Sequence, residues 1–123
     1  MDILVTNNPL AAKQYQSKLK VEFLDTDLIG ILTHIRDLIH SGHRLLTHPL
    51  SGSVKPNESP YKSVLIASTP KNNNPLPETD FRSVEIIEEC ITAVRKFPEK
   101  NIPEQYLKDL RIVDLSLIRT ALE

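Results

Sequence analysis

The chain has 123 residues, enough for one domain, 1–123, with a core of its own, and a multidomain assembly is excluded. Its 15 basic and 16 acidic residues nearly cancel, so the sequence carries no electrostatic footprint for nucleic acid or an anionic membrane. The longest apolar run, Leu28 to Leu32 around Gly30, is far too short to span a bilayer, and the opening Met1, Asp2 lacks the pattern of a signal peptide. A lone Cys90 has no internal disulfide partner, which agrees with a reducing, cytoplasmic location.

Ile3, Leu4 and Val5 read as a strand, and the following Asn7, Asn8, Pro9 supply a cap and a first-turn proline for a short helix to about Gln16. A second strand follows, with Val21 and Phe23 facing inward and Leu24 turned the other way. Asp25, Thr26 and Asp27 cap a stronger helix whose Leu28, Ile31, Leu32, Ile35, Leu38 and Ile39 share one face, with Gly42 as its stop. Leu45 to Thr47 form a third strand, and Val64 to Ala67 a fourth, buried on both faces.

Between them, His48 to Lys62 carries Pro49, Pro56, Pro60 and Gly52, so no helix runs through it, and strands three and four are expected to pair antiparallel. Thr69 to Glu78, with three prolines and three consecutive asparagines, reads as an exposed connection. Asp80 opens a helix to about Phe97, burying Val84, Ile87, Cys90, Ile91 and Val94. A last helix starts near Pro103. The alternation from Ile112 to Leu117 allows a break there, with Asp114 capping a separate final turn.

Short strands alternating with amphipathic helices predict an α/β fold. The expected form is a three-layer α/β/α sandwich with a short, mostly parallel or mixed sheet of about four strands. Ligands in such folds gather beyond the carboxyl ends of the strands, where Thr6 to Pro9, Asp25 to Asp27 and the His48 loop should meet.

That loop is dense in hydrogen-bonding groups. Ser51, Gly52 and Ser53 offer hydroxyls and backbone N–H groups, Lys55 and Lys62 offer positive charge, and Asn57 and Tyr61 add polar ends, a set suited to a phosphate or carboxylate. No Gly-Lys-Ser/Thr ending makes it a nucleotide loop, and the three scattered glycines exclude a dinucleotide fingerprint. The same serines and prolines also suit plain turns, and both readings stand.

His48 is the candidate acid or base, or else a hydrogen-bonded residue that fixes its loop. Either of Asn7 and Asn8 serves as the helix cap, and the other is free to bind a ligand at the crevice with Thr6 and Asp25, or to brace the loop. Four histidines lie between positions 34 and 48, but His34 and His40 project about 120° apart on their helix and His40 and His43 straddle its end, so no metal site is expected. Cys90 falls on a buried side with no thiol partner, and no cofactor is called for.

Two stretches, Thr6, Asn7, Asn8, Pro9, Leu10 and Gly42, His43, Leu45, Leu46, Thr47, His48, Pro49, Leu50, Ser51, Gly52, Ser53, Lys55, Pro56, Asn57, Pro60, Tyr61, Lys62, Ser63, resemble the GrdX family. Those are small proteins encoded beside the glycine, sarcosine and betaine reductase systems of amino-acid-fermenting anaerobes. The resemblance implies an accessory or regulatory role near such a reductase and carries over no catalytic residue; with a single cysteine, the chain resembles neither a thiol relay nor the selenoprotein component.

Three functions follow as expectations. The first is an accessory protein binding a small anionic metabolite; the second, a small enzyme with His48 acting on an acyl or phosphoryl group. The third is an interaction module docking on a reductase component, and small α/β domains also commonly form symmetric homodimers.

Overall fold

The secondary structure follows from local sequence signals. In the computed structural model, which describes residues 2–50, 58–67, 79–97 and 100–123, the elements run β1 (Asp2–Thr6), α1 (Pro9–Tyr15), β2 (Lys20–Phe23), α2 (Leu28–His40), β3 (Arg44–Leu45), β4 (Ser63–Ala67), α3 (Phe81–Arg95) and α4 (Glu104–Leu122). The side chains of Asn8, Asp27 and Asp80 cap α1, α2 and α3 by accepting from Leu10, Gly30 and Ser83 N–H groups that have no partner within their helices. At the far end of α2, Gly42 takes φ 106°, a conformation that only glycine adopts without a Cβ penalty, and turns the chain into β3.

The four strands form one mixed sheet in the order β2-β1-β4-β3. β1 pairs parallel with β2 and antiparallel with β4, and β3 pairs antiparallel with β4. Among the described residues the sheet is therefore not mostly parallel in its pairings, because the one parallel pair there is that joined by the α1 crossover. β4 opposes both of its neighbours, so β1, β2 and β3 nevertheless all point the same way. Their carboxyl ends and the start of β4 share one edge of the sheet.

Alternate residues of the central strands feed separate apolar clusters, as the pleat requires. Ile3, Val5, Val64 and Ile66 pack with Leu28, Ile31, Leu32, Ile35 and Ile39 of α2 and with Ile87, Ile91 and Val94 of α3. Leu4 packs instead with Ala11 and Tyr15 of α1 and with Leu115 and Ile118 of α4.

Three local expectations are corrected. Phe23, expected to face inward, is 44% exposed, because β2 is an edge strand whose last residue has little above it. The third strand ends at Leu45, although the Leu46 N–H still donates to Leu65 O. α4 runs unbroken through Asp114, whose carboxylate is engaged by other parts of the molecule and caps nothing. Among the described residues no helix is long and apolar enough to cross a membrane.

Candidate functional site

The shared edge is held by the two asparagines that follow β1. Asn7 spends both amide protons on backbone carbonyls, Thr26 O at 2.9 Å and Pro60 O at 2.7 Å, and its Oδ1 accepts from Lys62 N–H at 2.8 Å. It thereby ties the β2–α2 connection to the segment entering β4. Asn8 caps α1 with Oδ1 and donates from Nδ2 to Arg111 O and Asp114 Oδ2 of α4, each at 2.9 Å.

A directional chain of hydroxyls runs alongside. Asn8 N–H donates to Thr6 Oγ1 at 2.9 Å, Thr6 Oγ1 lies 2.7 Å from Ser63 Oγ, and Ser63 Oγ donates to Asp114 Oδ2 at 2.6 Å. Ser63 has only one proton and gives it to Asp114, so Thr6 must donate to Ser63, and every proton in the chain points at the carboxylate. Both contacts to Asp114 fall on Oδ2. Its Oδ1 accepts from no donor among the described residues.

Beside this network is a hollow of about 40 Å³ lined by Thr47, His48, Pro49, Lys62, Ser63, Asp114, Leu117, Ile118 and Ala121. Lys62 and Asp114 are each only 7% exposed. Burial pushes the Lys62 ammonium below the usual lysine range, and the nearby Asp114 charge opposes that shift without reversing it. No carboxylate or hydrogen-bond acceptor among the described residues lies within bonding distance of Lys62 Nζ. The amine is not sealed from solvent, and it is open to an acceptor that enters the hollow.

His48 stands exposed on the same rim, and its Nδ1 accepts from Leu50 N–H at 3.1 Å, which assigns the proton of the neutral ring to Nε2. Cys90 is buried, and its thiol is pushed up to about 11 because burial disfavours the thiolate.

The residues singled out from the sequence separate into three groups. Thr6, Asn7, Asn8, His48, Tyr61 and Lys62 gather at the shared edge, with Tyr61 accepting from Arg111 Nε at 2.8 Å. Asp25 is exposed after β2, at the opposite edge of the sheet from β3. Three strand spacings, about 14 Å, separate β2 from β3, and neither Asp25 nor Asp27 bonds His48. Ser51, Gly52, Ser53, Lys55 and Asn57 lie outside the described residues.

Two further members of the site, Asp114 and Ser63, were not selected by sequence. For Asp114 there was a signal: an acid four residues after Leu110 and four before Ile118 interrupts the apolar stripe of α4, so it had to be buried or break the helix. Among the described residues no group of three or more metal-ligating side chains comes together. His34 Nε2 is 3.8 Å from Glu22 Oε1, and His43 Nδ1 is 2.8 Å from Ala67 O.

The fold and this edge define a small α/β domain with a polar hollow beyond its strand ends. The chain belongs to the GrdX family: a family model described as GrdX-like protein matches residues 3–123, essentially its whole length. No curated protein and no solved structure matches it.

Proposed function

We propose that this GrdX-family protein is an accessory or regulatory binder of a small anion, serving the glycine, sarcosine or betaine reductase systems with which the family is associated. The observation that carries the reading is Lys62: a nearly buried side chain on the wall of a strand-end hollow, whose amine has no acceptor bound to it among the described residues. An entering carboxylate or phosphate supplies the missing counter-charge. Thr6, Asn7 and Asn8 then act as the frame that holds Lys62 and Ser63 in place. This reading takes the domain as a three-layer α/β/α sandwich, supported by the separate clusters on alternate residues of β1.

Titration calorimetry with phosphate, acetate and acetyl phosphate tests the proposal. Saturable binding in the wild-type protein, at least tenfold weaker in a folded Lys62→Gln variant, is the expected result. No binding of any anion rejects the reading.

One observation favours a second reading, that of a small enzyme. His48 lines the same hollow with its Nε2 side unengaged among the described residues, as an acid or base acting on an acyl or phosphoryl group requires. Release of phosphate or acetate from acetyl phosphate, lost in His48→Gln, would establish it. Docking on a reductase component is the third reading, and the exposed Tyr106, Ile112, Val113 and Leu117 of α4 are the surface it would use.

A further inference from the structure

The hollow is not simply cationic. Lys62 and Asp114 line it together, both nearly fully buried, and they do not form an ion pair with each other. Asp114 is fixed through Oδ2 by Asn8 and Ser63, and its Oδ1 is left without a donor among the described residues. A plain anion entering to meet Lys62 would place its own charge against that carboxylate in a poorly screened space. A ligand with a hydrogen-bond donor next to its carboxylate avoids this repulsion, because the donor meets Oδ1 while the carboxylate meets Nζ. Size imposes a second limit: about 40 Å³ holds only about three waters, so only the head of the ligand enters and any larger group must stay at the rim by His48.

Resting on the anion-binding reading of the same hollow, we infer that Lys62 and Asp114 together select a small carboxylate bearing a donor on its adjoining carbon. That class comprises the 2-hydroxy and 2-amino acids, preferred over plain carboxylates. Lys62 supplies affinity and Asp114 supplies discrimination.

Competition calorimetry with glycolate, glycine and acetate decides the matter. Glycolate and acetate differ only by the hydroxyl, so their ratio isolates the Asp114 arm. The expected result is glycolate and glycine binding at least about tenfold tighter than acetate, the range of a hydrogen bond to a charged partner. In Asp114→Asn, acetate is expected to gain and the ratio to fall towards one; in Lys62→Gln, all three weaken together.

Equal binding of acetate and glycolate by the wild-type protein overturns the selectivity while leaving the anion site intact; binding of none of the three overturns the carboxylate assignment, and the anion reading falls with it only if phosphate also fails to bind. A preference that persists undiminished in Asp114→Asn also overturns the assignment. The wild-type ratio decides by itself should that variant fail to fold.

Discussion

Asp114 Oδ2 accepts from Asn8 Nδ2 and Ser63 Oγ, so an apolar residue in its place leaves two buried donors without a partner. Each such orphan costs about 1–3 kcal/mol. Asp114→Leu is therefore expected to lower the unfolding free energy by about 2–4 kcal/mol in urea denaturation, and Asp114→Asn, which keeps an acceptor oxygen, by less than half as much. The sequence left two options for this residue, a place within a continuous helix or the cap of a separate last turn, and the helix is continuous. A polar side chain at that position in the apolar stripe has to find partners, and those partners lie 51 and 106 residues away, beyond the reach of any local pattern. His48 was singled out for its place at a strand end and Lys62 for its charge, and both line the same hollow.

At the scale of elements the sequence was read with little error. Capping asparagine and aspartates, a proline in the first turn of α1 and the glycine after α2 are local devices acting over one helical turn, and each falls where the structure needs it. Gly42 gives the sharpest check. With φ at 106°, a Cβ there is strained whatever the surrounding space, so Gly42→Ala is expected to cost about 1–2 kcal/mol, measured by chemical denaturation. Ser41→Ala, next to it at a negative φ open to any residue, removes only an exposed hydroxyl contact to Asp37 O and should cost under about 1 kcal/mol. An alternative stayed open where two periodicities compete. Residues 112–117 alternate as a strand would, yet Leu115 and Ile118 are held at helical spacing against Leu4, Ala11 and Tyr15, and packing prevails.

Across the whole molecule, strand direction was legible and strand pairing was only partly so. The α1 crossover announces a parallel pair, whereas the insertion of β4 between β1 and β3 joins Thr6 to Ser63, a long-range choice that hydrophobic pattern does not encode.

Alkaline stability is also a property of the whole fold. Lys62 binds its proton less tightly folded than unfolded, so below its ordinary 10.5 the unfolded chain holds more protons, and stability rises with pH as the buried charge is relieved. Cys90 acts the other way: with its thiol raised from 9.0 to about 11, the unfolded chain loses its proton first, and stability falls across that interval. Urea midpoints measured from pH 8 upward should therefore show Cys90→Ala gaining on the wild-type protein between pH 9 and about 11. Lys62→Met should decline more steeply than the wild type over the same range. Parallel profiles for all three proteins would contradict this assignment.

The cross-links from Asn8 to Arg111 and Asp114 have a consequence for biosynthesis. A nascent chain that has emerged only as far as α3 already contains every strand, but its Asn8 and Ser63 donors still face water and the hollow has no outer wall. Translation products that stop short of α4 would thus leave those donors without their buried acceptor, so this end of the sheet is completed only once synthesis has passed Asp114.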